Sequence, residues 1–261
     1  MLCLDIGNSQ IYGGIFDGKN FTHNFRLNTK NGWSSDQIGV FICSYLRERS
    51  IDPQAIKQIA ICSVVPSVNY SIRSACIKYF NIDPFILKMG VKTGLIVNKY
   101  KNPHEIGSDI IAGCVASLDL FPGHNLLVVD LGTATTIAAV NRNSEYFGGV
   151  IIPGLKTQAD SLAVAAENLS SIDIILPKTV TGTSTSHAIQ SGLFYGHLAA
   201  MRGLCNLMAL EKFGSEKDCK IIGTGGFSIL FADSDIFDAI EPDLILKGLV
   251  IAERVNTSAK T

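Results

Sequence analysis

The chain has no dominant charge: 22 Lys and Arg stand against 23 Asp and Glu, for a formal net charge of −1. No basic cluster follows a helix face or interleaves with aromatic residues, so the electrostatic footprint of a nucleic-acid-binding protein is missing. Charged residues interrupt every apolar run before it could span a bilayer. The opening MLCLDI has neither the basic segment nor the apolar length of a secretory signal, so a cytoplasmic protein without membrane contact is expected. The seven cysteines form no C-x-x-C pair and make no zinc-ligand spacing with the five histidines, which leaves buried, reduced thiols as the expectation. Three nucleotide signatures are missing as well: the P-loop G-x-x-x-x-G-K-[ST], a G-x-G-x-x-G after the first strand, and the H-R-D kinase loop. No low-complexity tract occurs.

What is present is a core. The 261 residues are 47% hydrophobic and only 17% charged, a composition that folds as one large domain or as two of roughly 100–150 residues. One device occurs twice. LCLDIGNSQIYGGIF, from Leu2, and LVVDLGTATTIAAV, from Leu127, each run from an apolar strand through an acid and a glycine into a second apolar strand. Asp5 aligns with Asp130, Gly7 with Gly132 and Asn8 with Thr133. A recurrence near the midpoint predicts two related α/β halves, 1–118 and 125–261, with LDLFPGHN as the crossing.

Apolar periodicity fills in each half. The first reads as three strands (the hairpin 2–16, then FTHNFRL), a helix capped at Ser34 or Ser35, a strand in QIAICSVVP, a helix in VNYSIRSACIKYF, a strand in PFILK and a helix from GSDIIAG. The second reads as three strands and then a helix in LKTQADSLAVAAENL. Leu155, Ala159, Leu162, Ala163, Ala166 and Leu169 form the inner side of that helix. A hydroxyl-rich loop, a long helix over about 186–211, a strand–glycine turn–helix in CKIIGTGGFSILFA and a last helix in PDLILKGLVIAERV follow.

An acid–glycine turn suits phosphate binding. Glycine lets backbone N–H groups approach an oxyanion, Asn8, Ser9, Thr133 and Thr135 add short donors, and a strand-end carboxylate meets phosphate through a cation. One such turn alone is an ordinary hairpin with an Asp at its corner; two at matched positions point to nucleotide phosphates. The TGG of IIGTGG, with Gly225 and Gly226, either lets a base or ribose lie flat against the backbone or makes a tight turn. In YKNPHEIGSDIIAG, Asp109 sits in the first turn of a helix, where the macrodipole favours its ionised form; a helix-start acid without chemistry is the plainer alternative. TGTSTSHAIQSG supplies helix-capping hydroxyls that could also touch a substrate. Gly192, Gly196, Ala199, Ala200 and Gly203 form a small-residue stripe, for close approach of a helix in the core or across a dimer. His187 and His197 have no evident partners in the sequence.

Taken in order, DIGNS, GSD, DLGTATT, GGVIIPGL, TSTSHAIQSG and TGG resemble type III pantothenate kinase over nearly the whole chain. The resemblance implies the duplicated ribonuclease-H-like fold shared with sugar kinases and actin. It implies ATP-dependent phosphorylation of pantothenate to 4′-phosphopantothenate, the first step of coenzyme A synthesis, and a cytoplasmic homodimer. By position, Asp5, Ile6, Gly7, Asn8, Ser9, Gln10, Ile11 and Tyr12 would hold ATP phosphates, with Asp5 facing Mg2+. Asp130 would bind a monovalent cation, K+ or NH4+, and Gly132, Thr133, Gly225 and Gly226 would contact ATP. Tyr100, Gly107, Ser108, Asp109, Ile110 and Thr185 would line the pantothenate pocket, with Asp109 as general base.

Two positions depart from the family. Ser9 replaces a threonine and keeps its hydroxyl. Ile110 stands where the family's G-x-D-R motif has an arginine that would pair with the substrate carboxylate. Either another cation, such as Arg73 or Lys156, takes that place, or pantothenate binding is weakened. Two other functions follow from the same residues: a non-catalytic, nucleotide-binding accessory relative, or a phosphotransferase or phosphohydrolase of this fold with another substrate.

Overall fold

Leu2, Leu4 and Ile6 are almost fully buried on one face of the first strand and Cys3 on the other, which makes it the central strand of its sheet. The computed structural model describes residues 1–29, 32–98, 100–165 and 172–257, and the chain divides into two compact units. The first contains Met1–Leu95, Asn102–Ala116 and the segment from Asp243; the second contains Ile96–Lys101 and Ser117–Pro242.

In the first unit, β1 (Leu2–Ile6), β2 (Gln10–Phe16) and β3 (Phe21–Asn28) form an antiparallel meander. Helix α1 (Ser35–Glu48) follows, then β4 (Ile59–Ser63), α2 (Pro66–Phe80), β5 (Phe85–Leu87) and α3 (Ser108–Leu120). The strand order is β3-β2-β1-β4-β5, with β1, β4 and β5 parallel. Ser34 caps α1 in a reciprocal box with Gln37, and Ile38, Ile42 and Leu46 turn one face into the core beside Val68, Ile72 and Phe80.

The second unit repeats the plan. β6 (Leu126–Leu131), β7 (Ala134–Val140) and β8 (Tyr146–Pro153) form a meander, followed by α4 (Leu155–Ala165), α5 (Thr185–Ser191), α6 (His197–Phe213), β9 (Lys220–Thr224) and β10 (Ala239–Ile240). The order β10-β9-β6-β7-β8 matches the first sheet strand for strand, with the same parallel and antiparallel pairings. This duplicated five-stranded α/β arrangement is the ribonuclease-H-like fold expected from the doubled hairpin.

Several details differ from the sequence reading. The final helix, α7 (Leu244–Thr257), falls within the expected half 125–261, yet it packs on β1, β4 and β5 of the first unit. Gly248 makes this possible, because a β-carbon there would run into the backbone of Ala112 on α3. The helix expected over 186–211 runs from Thr185 to Phe213, with a π-turn at Gly192–Gly196 between α5 and α6. After the TGG turn the chain forms a 3-10 helix, Ser228–Ser234. Leu162, expected inward, is exposed, whereas Leu155 is buried; Ala166 and Leu169 lie outside the described residues. The small-residue stripe at Gly192, Gly196, Ala199, Ala200 and Gly203 is exposed, so it does not pack against its own core. No helix of the described residues is long and apolar enough to cross a membrane.

Candidate functional site

In the first unit, the chain leaves β1 at Asp5–Ile6 and turns back within four residues. The Gly7 N–H donates to the Gln10 carbonyl (3.0 Å), the Thr29 hydroxyl donates to the Gly7 carbonyl (2.7 Å), and the Thr29 N–H donates to the Ser9 carbonyl (2.9 Å). Carbonyls are thereby drawn into the protein, while the Asn8, Ser9 and Gln10 side chains stay exposed. Ile6 and Ile11 are core residues paired with each other and with β4 and β3, so their side chains do not reach a ligand at the turn. The Tyr12 hydroxyl donates to Asp243 (2.5 Å) and accepts from Asn24 (2.8 Å), and the Arg26 guanidinium lies 4.2 Å over its ring. Burial first, and then the bond to Asp243, push its phenol above the ordinary tyrosine range.

Beside this turn lies the start of α3. Asp5 pairs in register with Cys62 on β4, and the Cys62 thiol donates to Asp5 Oδ1 at 3.3 Å. The next residue, Ser63, bonds through its backbone to the buried Ser108 hydroxyl. Asp109 follows, and its Oδ1 accepts the Ile110 N–H at 2.7 Å. Burial raises the Asp109 carboxyl above the usual aspartate range, outweighing the backbone N–H bonds that lower it. Cys62 is fully buried, and burial first, then the nearby charges of Asp5 and Asp109, hold its thiol far above the ordinary cysteine value. In this unit, then, Asp5, Ser108 and Asp109 meet at the carboxyl ends of parallel strands, where open α/β sheets bind ligands.

Gly107 makes room for the Asp109 carboxylate, since a β-carbon at 107 would overlap Oδ1 and meets no backbone. Gly107→Ala is therefore expected to rotate the carboxylate while leaving the fold intact. If the Asp109 carboxylate takes part in a reaction, kcat is expected to fall by about 10–100-fold, with the melting temperature within a degree or two of wild type. Equal kcat would mean that the orientation of Asp109 does not matter.

In the second unit, Asp130 ends β6 in the same way. The Gly132 N–H donates to the Ala134 carbonyl (3.1 Å), and the Thr133 carbonyl accepts the Gly154 N–H (3.1 Å) and the Thr157 hydroxyl (2.6 Å). The TGG turn folds over this strand end: Gly225 has φ +87°, and a β-carbon there would overlap Asp130 Oδ1 and sit 2.6 Å from the Leu131 nitrogen. Gly226 faces open space. Tyr100 belongs to this unit, against Gly148 and the ring of Tyr146 (5.7 Å between centroids). Thr185, also in this unit, is the exposed first residue of α5, after the Ser184 cap.

The sequence reading missed a buried polar network in this unit. His197 Nε2 lies 2.9 Å from the Thr135 hydroxyl, and Nδ1 lies 3.0 Å from Gln158 Nε2. That same Gln158 nitrogen donates to the Pro153 carbonyl (2.8 Å), so it is the amide NH2. Nδ1 is then an acceptor, the ring proton sits on Nε2, and burial, which lowers the pKa, keeps the ring neutral. The network ties the hairpin after Gly132 to α4 and α6. The available signal was a histidine inside the apolar run YGHLAAM.

The two cations offered as substitutes for an arginine at 110 are both exposed and already paired. Arg73 makes a two-pronged bridge to Asp83 (2.8 and 2.7 Å), and Lys156 bonds Asp160 (3.1 Å). Ile110 is half-buried.

Comparison with known proteins bears on this arrangement. The family model described as type III pantothenate kinase matches residues 1–207. The type III pantothenate kinase of Legionella pneumophila (strain Corby) is 47% identical over 258 residues, covering 99% of this chain and 100% of the relative. Type III pantothenate kinase 1 of Francisella tularensis subsp. holarctica (strain OSU18) is 42% identical over 256 residues, covering 98% and 99%. Among solved structures, a Campylobacter jejuni protein provisionally described as a Baf family transcriptional activator superposes with TM-score 0.61 at 19% identity, covering 99% of this chain and 100% of that one. A Sinorhizobium meliloti protein provisionally described as a 2-dehydro-3-deoxygalactonokinase gives 0.57 at 13%, covering 97% and 96%. These two structures speak to the fold alone, whereas the family model and the full-length relatives settle the family. The chain belongs to the type III pantothenate kinase family.

Proposed function

We propose that this chain transfers the γ-phosphoryl group of ATP to the primary hydroxyl of pantothenate, giving 4′-phosphopantothenate and ADP, the opening reaction of coenzyme A synthesis. The observation that carries the reading is the half-buried Asp109 carboxylate at the start of α3, held beside the strand-end acid Asp5 through Cys62 and the Ser63–Ser108 contact. Asp109 accepts the hydroxyl proton as the oxygen attacks the γ-phosphorus in line, and the bond from that phosphorus to the ADP oxygen breaks. Backbone N–H groups of the turn after β1 hold the phosphate oxygens. Gly132, Thr133, Gly225 and Gly226 contact ATP, and Tyr100, Gly107, Ile110 and Thr185 contact pantothenate.

The donor set suits the two cations the family implies. Among the described residues no cluster of three or more His, Cys, Asp or Glu could cage a metal by itself. A lone carboxylate such as Asp5 fits Mg2+, which is commonly held by one or two carboxylates together with substrate phosphates. When bound, Mg2+ neutralises charge on the transferring phosphoryl group. Asp130, with Gly225 leaving space beside its carboxylate, fits the monovalent cation. The protein works in the cytoplasm as a homodimer; the exposed small-residue stripe from Gly192 to Gly203, which continues into Leu207 (65% exposed) and Leu210 (49%), supports the dimer. Sedimentation of the purified chain as a monomer would count against the dimer.

The expected result of a coupled assay is ADP release that depends on pantothenate. Ile110→Arg supplies the missing partner for the substrate carboxylate. A hydrogen bond to a charged group contributes about 1.5–3 kcal/mol, so KM for pantothenate is expected to fall roughly 10–100-fold with kcat little changed. A silent wild type with an active arginine variant identifies a lapsed kinase. ATP binding without turnover in both proteins points to the accessory role, and ADP release without pantothenate points to another acceptor.

A further inference from the structure

Strand β4 ends between two carboxylates to which the kinase reading gives different tasks. In the parallel register Asp5 lies opposite Cys62, so their side chains share a face, and the fully buried thiol donates to Asp5 Oδ1 at 3.3 Å. One residue on, the ladder changes. The pairing of β4 with β5 covers only Ala60–Cys62, so Ser63 has no partner on β5. The Ser108 hydroxyl takes that place, accepting the Ser63 N–H at 2.9 Å and donating to the Ser63 carbonyl at 3.1 Å. Ser108 is 7% exposed and its one proton is committed, so it has no donor left for a substrate. It is also the residue that immediately precedes Asp109.

We propose that the last two residues of β4 form a positioning bridge, with Cys62 aiming Asp5 and Ser108 anchoring the helix start that carries Asp109. The inference rests on the kinase reading above and reassigns Ser108 from substrate contact to positioning residue. The geometry is economical: two adjacent residues of one interior strand fix both acids to the same rigid element, so the spacing between the phosphate turn and the base is set by the sheet rather than by a loop.

A double-mutant cycle with metal titration tests it. Ser108→Ala is expected to lower kcat about 10-fold with KM for ATP unchanged, and to cost nothing further in an Asp109→Asn background. Cys62→Ala is expected to raise the Mg2+ concentration for half-maximal rate about 10-fold, and Cys62→Ser, which keeps a donor, to restore it to within about twofold. A merely structural role would lower the melting temperature without this non-additivity or this metal dependence. Should Ser108→Ala fail to fold, Ser108→Cys, similar in shape with a weaker donor, enters the same cycle. Additive losses from Ser108 and Asp109, or unchanged Mg2+ dependence in Cys62→Ala, overturn the bridge and leave the kinase reading standing. An Asp109→Asn protein with wild-type turnover overturns the base assignment itself, and the bridge with it.

Discussion

Replacing Asp109 by asparagine is expected to lower kcat by about 10²–10⁴-fold and, at neutral pH, to raise the melting temperature. On the proposed assignment of Asp109 as base, the first effect follows because asparagine keeps the oxygen that accepts the Ile110 N–H but cannot take a proton. The second follows from the environment of the carboxyl. Burial, the larger cause, lifts its folded pKa above the unfolded value, and the backbone N–H bonds only partly offset it. Between the unfolded pKa and the raised folded one, the folded state binds more protons, so stability falls as pH rises through that window. Above it, the ionised carboxylate is a constant cost that asparagine removes. The gain in melting temperature is therefore present at neutral pH and fades in acid, where both proteins carry an uncharged group. With Asp109 as the proposed base, the same shift is expected to move the acid limb of wild-type kcat above the ordinary aspartate range, because turnover would need the ionised carboxylate. Steady-state kinetics and calorimetry across pH read all three effects. Unchanged turnover would remove Asp109 from the chemistry, and a variant that melts lower at every pH would show that the carboxylate stabilises the fold.

That trade between stability and turnover was only half legible in the sequence. The doubled strand–acid–glycine device located Asp5 and Asp130, and the capping pattern located α1, because both depend on residues close together in the chain. The Asp109 helix start was visible for the same reason. What surrounds these groups was not visible. Cys62 reads as one more apolar residue in QIAICSVVP until β4 is laid in register beside β1. Ser108 reads as a pocket residue until its hydroxyl is found on Ser63. Thr135, Gln158 and His197 come from three elements, and no local period joins them. Strand β10 has two residues, too few to alternate, and α7 carries a normal amphipathic pattern that does not say which sheet it covers. Periodicity reports that a face is buried; the partner across that face is fixed by topology.

The two glycines of the TGG turn separate folding from the proposed nucleotide contact. Gly225→Ala is expected to destabilise the second unit by about 2–5 kcal/mol and to lower the melting temperature on the order of 10 °C. Gly226→Ala is expected to leave melting unchanged and to raise KM for ATP about 10-fold, a loss of roughly 1.4 kcal/mol. Gly225 sits at φ +87°, where a side chain is strained whatever the space, and a β-carbon would lie 2.6 Å from the Leu131 nitrogen and 2.7 Å from its carbonyl carbon. Those atoms belong to the central strand β6 and cannot move without breaking its ladder. The turn is further fixed because the Gly225 carbonyl accepts from the Ser228 hydroxyl at 2.8 Å. At Gly226 a methyl group meets nothing within 4 Å. The fold is therefore indifferent to it, and only a ligand lying against that backbone can feel it. Titration of a non-hydrolysable ATP analogue, run beside thermal melts of both variants, makes the comparison. A Gly226→Ala protein that binds the analogue as well as wild type does would take the TGG turn out of the nucleotide site, and a stable Gly225→Ala protein would contradict the positive φ and the close approach to β6.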